Sequence, residues 1–312
     1  MAKSEQSPVL STATIIGWAV GLAVLAVLAS WLLLRAFHTG DAADSVRLDA
    51  LRTAGSIVAG TGGAAALLLA ARRQRSTELG QRQTEHDAAE RRVTELYSKA
   101  ADQLGSDRAP VRLAGIYALE RLAQHNPPHR QTIANLLCAY LRMPAESAGE
   151  QSEEQQVRRA AQDVLVAHLK PGESYWPDME LNFSRATLVN FAMTHCVVRS
   201  ARFNSTEFHQ TATFRGSTFR TVADFRRAKF IGLADFRRVD VGDGADVSFR
   251  ETSFEEEVNF GEHTRVPVSG ALTRTDHPHR KWPAGWQERD LPEKPDWAVL
   301  VPVRGQSADQ AG

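Results

Sequence analysis

The stretch TATFRGSTFRTVADFRRAKFIGLADF, residues 211–236, sets Phe214, Phe219, Phe225, Phe230 and Phe236 five or six residues apart. An amphipathic helix repeats its apolar face at three and four, and a half-buried strand at two, so neither produces this spacing. Extended backwards, the register gives Phe183, Leu188, Met193, Val198, Phe203 and Phe208 at steps of five. Forwards it reaches Val241, is interrupted, and resumes at Phe249, Phe254 and Phe260. Two residues before each lies a second series, mostly small: Leu181, Ala186, Phe191, Cys196, Ala201, Thr206, Ala212, Ser217, Ala223, Ala228, Ala234, Val239, Val247, Thr252 and Val258. Polar residues fill the gaps.

Residues two apart on an extended segment point the same way. A chain that turns a corner every five residues therefore sends one large and one small side chain inward per side. Coils stacked at strand spacing, about 4.8 Å, would align the large residues in columns and pair backbone groups between coils. The candidate core column is Phe183, Leu188, Phe203, Phe208, Phe214, Phe219, Phe225, Phe230, Phe236, Phe249, Phe254 and Phe260. An antiparallel β-domain would instead show period two with Gly/Asn hairpin turns, which this segment lacks.

With segments such as ADFRR, AKFIG and ARFNS, residues 181–262 closely resemble the pentapeptide-repeat family. The resemblance implies a right-handed quadrilateral β-helix of about four pentads per coil, nearly four coils and about 20 Å tall. It departs from the strict pattern at Leu181, Phe191 and Cys196, which are larger than Ala, and at the 241–249 break. The upstream stretch ELYSKAADQLGSDRAPVRLAGIYALERLA is also similar to a helical segment that often precedes such repeats in bacterial membrane proteins.

The N-terminal third follows another rule. No residue from Gln6 to Leu34 is charged, and TIIGWAVGLAVLAVLASWLLL is apolar nearly throughout. Such a run is long enough to cross the roughly 30 Å hydrocarbon core as a helix, with Trp18 and Trp31 placed as interfacial anchors. A second uncharged run, 53–71, ends at Arg72-Arg73. The expected fold class is thus α+β multidomain: an N-terminal transmembrane helical hairpin (spans about 13–34 and 53–71, within 10–72, after a tail at 1–9), a helical middle at 73–170, the β-helix at 181–262, and a Pro/Trp-containing tail at 264–312. Arg72, Arg73, Arg75 and Arg82 after the second run place both termini in the cytoplasm of a multi-pass plasma-membrane protein.

In the middle, Leu113, Ile116, Leu119 and Leu122 line one helix face, and Ile133, Leu136, Leu137, Tyr140 and Leu141 another. VRLAGIYAL and VRRAAQDVL loosely resemble HEAT-type helix openings. His125, His129 and His168 read as scattered surface histidines.

Several chemistries are excluded or disfavoured. GTGGAA, 60–65, lacks the strand–turn–helix setting of a dinucleotide fingerprint. A calcium loop starting at Asp240 would need oxygen ligands where Gly242 and Gly244 stand. Cys196 falls in the inward series and reads as an inert thiol. No GxSxG, HExxH or Walker motif occurs, so the chain is expected to be no enzyme and to need no cofactor. From 181 to 238 there are ten basic and three acidic residues, and from 240 to 262 one basic and eight acidic. That sign disfavours the DNA mimicry by which some family members regulate topoisomerases, and no nucleic-acid partner is expected. The candidate interaction surface is Arg215, Arg220, Arg226, Arg227, Lys229, Arg237 and Arg238, facing an acidic protein partner or anionic lipid. The expected function is a membrane-anchored scaffold or adaptor, with an accessory or sensor subunit as the alternative. The sequence names no protein partner and no small-molecule substrate.

Overall fold

The ladder residues turn inward in the computed structural model, which describes residues 43–144, 152–262 and 264–303, together with Gly21, Val24, Val27, Leu28, Trp31, Leu32 and Arg35. Two units separate, 1–90 and 91–312. Helix α1 (Ala43–Leu104) supplies the first unit and the opening turns of the second. From Arg72 to Arg92 its side chains are exposed on every face, as expected of a stretch dense in Arg, Glu and Gln.

Among the described residues no helix is long and apolar enough to cross a membrane. This overturns the transmembrane hairpin of the expected fold class, and with it the multi-pass plasma-membrane placement. The first predicted span, 13–34, lies largely outside the described residues. The second, 53–71, is an internal part of α1. Gly55, Gly60, Gly62 and Gly63 and its many alanines leave only Ile57, Val58, Leu67, Leu68 and Leu69 as large aliphatic side chains, too little apolar area per turn to reward transfer into lipid.

In the second unit α1 ends at Leu104, next to Gly105. Helices α2 (Ala109–His125), α3 (Arg130–Arg142) and α4 (Glu153–Ala167) follow. Ile116, Leu119, Ile133, Leu137, Leu141, Val157 and Ala161 are fully buried between them. Ser152 caps α4 by accepting the Gln155 N–H, satisfying one of its orphan donors.

The coil comprises β1 (Glu180–Asn182), β2 (Thr187–Ala192), β3 (Val197–Arg202), β4 (Glu207–Thr213), β5 (Thr218–Asp224), β6 (Lys229–Phe230), β7 (Ala234–Asp235), β8 (Asp240–Val241), β9 (Asp246–Ser248), β10 (Ser253–Phe254), β11 (Val258–Asn259), β12 (Leu272–Arg274) and β13 (Arg280–Lys281). All pair in parallel with the coil above or below. One sheet runs β1-β3-β5-β8, with β9 also on β5, and the other carries β2, β4, β6, β10, β12 and the branch β7-β11-β13. Over the first coils the interval between stacked residues grows: 20 for Asn190 and Gln210, 22 for Glu207 and Lys229, 24 for Arg227 and Glu251. The last of these intervals includes the 241–249 break, where the chain makes a wider corner at Gly242-Asp243-Gly244-Ala245 between β8 and β9.

This register builds four columns. Phe183, Phe203, Phe225 and Phe249 stack face to face with centroids 5.3, 4.9 and 4.7 Å apart. Phe208, Phe230 and Phe254 stack at 4.5 and 5.0 Å above Leu188. Phe214, Phe236 and Phe260 stack at 4.9 and 4.7 Å. Val198, Phe219 and Val241 form the fourth. Rings of adjacent columns meet edge to face, Phe214 on Phe225 at 5.2 Å for instance, an arrangement worth roughly 0.5–1.5 kcal/mol per pair beyond area burial. Phe191, one of the oversized members of the small series, sits among Phe183, Phe203, Phe208 and Phe214 and fills the axis of the first coil.

Both ends are closed. At the start, the Gln131 side-chain amide accepts the Glu180 N–H at 3.0 Å and donates to the Glu180 carbonyl at 2.7 Å, taking the place of a neighbouring strand. Arg158, 2 % exposed, donates to the α3 carbonyls of Tyr140, Leu141 and Met143 and to Thr187 of β2. At the far end, β14 (Trp286–Leu291) and β15 (Lys294–Pro302) form a hairpin that pairs antiparallel with β12. Trp282 covers Phe254 and Phe260 at 5.6 and 5.9 Å.

Candidate interaction surface

The corners decide which side chains face outward. At Phe183, Phe203, Phe214, Phe225, Phe236 and Phe249 the Phe carbonyl accepts the N–H three residues on, at 2.9–3.2 Å. The third residue of each turn has positive φ: Arg185, Ser205, Gly216, Arg227, Arg238 and Glu251. This is type II turn chemistry, normally given to Gly. Here a ladder N–H into the next coil, such as Arg227 to the Arg250 carbonyl at 3.0 Å, helps hold the strained residue. At Gly232 and Gly242 the backbone of the coil below approaches so closely that a Cβ would collide with the carbonyls of Gln210 and Arg220. The small inward series is not all apolar. Thr206 and Thr252 donate their hydroxyls to the carbonyls of Phe183 and Phe225, at 2.7 and 2.6 Å, and so join successive coils.

Of the seven candidate surface cations, Arg237 is half-buried and the others are exposed. Five are committed to carboxylates. Arg226 and Arg237 each grip the Asp two residues earlier through two nitrogens, Asp224 at 2.8 and 2.7 Å and Asp235 at 2.9 and 2.6 Å. Lys229 meets Glu207 at 2.8 Å, Arg227 meets Glu251 at 2.9 Å and Arg220 meets Asp178 at 2.5 Å. Arg215 and Arg238 form no salt bridge among the described residues.

Asp224 and Asp235 are the residues that the sequence reading passed over, although ADFRR occurs twice. Both carboxylates are buried at 7 and 9 % exposure. Burial alone would raise their pKa, but the Arg and backbone N–H bonds outweigh it and hold both below the usual carboxylate range. The basic and acidic blocks of the sequence are therefore not two ends of a field. The acidic coil stacks directly on the basic one, and Arg227 and Arg250 both lie against Glu251. A corner cleft of about 370 Å³ lined by Asn204, Ser205, Arg226, Arg227, Arg250 and Glu251 contains only arginines already paired in this way.

His168 is not on the surface: it is 5 % exposed, stacks on Trp176 at 4.2 Å, and faces Glu120 and the Ser174 carbonyl, each at 2.8 Å. Cys196 and Cys138 are buried free thiols, and burial pushes both up to about 12. Among the described residues no group of His, Cys, Asp and Glu could hold a metal ion.

The comparisons agree with this geometry where they speak. The family model described as pentapeptide repeats (9 copies) matches residues 203–248. No curated protein matches the chain. No solved structure matches it either.

Proposed function

This chain is a pentapeptide-repeat protein, and from that premise we propose that it is a non-catalytic scaffold whose coil docks a protein partner on its outer polar faces. Coils of this family are generally non-enzymatic. The observation that carries the reading is the filled interior. Phe183, Phe203, Phe208, Phe214, Phe219, Phe225, Phe230, Phe236, Phe254 and Phe260 are all at most 1 % exposed, and both ends are covered, so the coil presents only its outside. Much of the charge on that outside is held in fixed positions by ion pairs, which favours shape and register over net charge in recognition. Arg215 and Arg238, the cations without a salt bridge, would meet an acidic group of the partner.

The test is site-specific photo-crosslinking in the full chain from positions 213, 227 and 240, beside but not at the two arginines, with position 79 on α1 as control. A single protein captured at the coil positions, absent from the control and lost in Arg215→Glu/Arg238→Glu, supports the scaffold. Crosslinks indistinguishable from those at position 79 would remove it.

A further inference from the structure

A second cleft, of about 400 Å³, lies where α3 meets the first coil. Its floor is apolar, formed by Leu181 and Cys138, each 1 % exposed. The thiol is neutral at physiological pH because burial raises it to about 12.

The polar groups of the walls are donors. Asn135 uses its carbonyl oxygen to accept from Gln131 at 2.8 Å. Asn182 uses its own to accept from the N–H and hydroxyl of Ser184, at 3.1 and 2.6 Å. Each has its amide NH2 left for the cleft. Arg142 and Arg202 add two exposed guanidiniums that form no salt bridge among the described residues. Gln131 is occupied by the Glu180 backbone and by Asn135. The one acid on the rim, the Glu180 side chain, faces Arg199 at 3.5 Å.

A site with two planar cations, two amide donors and few unused acceptors selects an oxyanion. The volume exceeds what a bare ion needs and falls within the roughly 300–1,000 Å³ of small-molecule sites. The apolar floor asks for an organic body.

We infer that this cleft binds the phosphate monoester of a small molecule, with the phosphate between Arg142 and Arg202 and the body against Leu181 and Cys138. Two monodentate cations would serve a carboxylate equally well, but four donor groups match the larger oxygen set of a doubly charged phosphate.

The experiment is calorimetric titration of the full chain with phenyl phosphate, inorganic phosphate and phenylacetate. Phenyl phosphate saturates and binds more tightly than either of the others. Arg142→Gln and Arg202→Gln each weaken it about tenfold, the effect of losing roughly 1.4 kcal/mol, whereas Arg227→Gln in the corner cleft leaves it unchanged. Both arginines are exposed, so the variants keep the wild-type melting temperature; Asn135→Leu provides an independent variant with the same expected loss. No saturation up to about 10 mM, a range that covers affinities weaker than −4.1 kcal/mol, overturns the site. So does unchanged affinity in the double Arg variant, or equal weakening by Arg227→Gln. Phenylacetate binding as tightly as phenyl phosphate overturns the phosphate assignment, and equal affinity for inorganic phosphate overturns the role of the apolar floor.

Discussion

Phe225 has a parallel ring above it (Phe249, 4.7 Å) and one below (Phe203, 4.9 Å), with Phe214 against its edge. Phe225→Ala removes contacts on all three sides from an interior that cannot collapse without breaking the ladder. We expect a loss of about 3–5 kcal/mol, read as a lower denaturation midpoint at unchanged slope. Asp224 and Asp235 are the buried contributors to the acid limb of stability. Their folded pKa lies below the unfolded value of about 3.9, so their contribution is complete above that value and lost as pH falls through the folded one. Chemical denaturation between pH 6 and 2 should therefore show a decline beginning as pH approaches about 4, shallower in Asp224→Asn/Asp235→Asn. At this scale the sequence was legible for large residues and opaque for small ones. Five-residue spacing marks a ring column directly. Nothing in Arg185 or Arg227 announces a positive φ, because tertiary ladder bonds rather than Gly stabilise those corners. His168 looked like a surface residue because its cover, Trp176, and its partner Glu120 are distant or unpatterned in sequence.

Among the elements, the terminal ones are decisive. A parallel coil leaves an unpaired row of N–H and C=O groups at each end, which invites edge-to-edge association. The start is covered by helices, with Gln131 acting as a surrogate strand residue and Arg158 tying α3 to β2. The finish is covered by the β14–β15 hairpin. Ending the chain at Gly285 should expose β12 and produce self-association, seen as a larger species by size-exclusion chromatography with light scattering, while the far-ultraviolet spectrum stays that of β-structure. An unchanged monomer-to-oligomer balance would deny the hairpin this role. Helix ends were readable because Gly105 and Asn126-Pro127-Pro128 cannot continue a helix. The second apolar run was misread for a physical reason: freedom from charge is necessary for a span but not sufficient, and Gly and Ala add little transfer energy.

For the whole molecule, the division at residue 90 makes a direct claim. The unit from Arg91 onward contains the helical core, the ring columns and both closures, so residues 91–312 alone should melt at the temperature of the full chain's β-structure transition, followed by circular dichroism. A drop of several degrees would mean that residues before 91 contribute to its stability. The candidate surface was only half legible at this scale. Runs of Arg could be counted, but which carboxylate each would meet depends on an interval of 20 to 24 residues, which emerges only once the coil is wound.

The parallel stacking has a bearing on how such a chain can change in length. Interior turns offer their neighbours similar grooves of carbonyls and, in most columns, a flat ring, whereas the helical collar and the hairpin clasp each fit one terminus. A duplicated turn can therefore slip into the middle of the pile and find matching surfaces on both sides. Growth or shrinkage leaves the bookends untouched and moves only the distance between them.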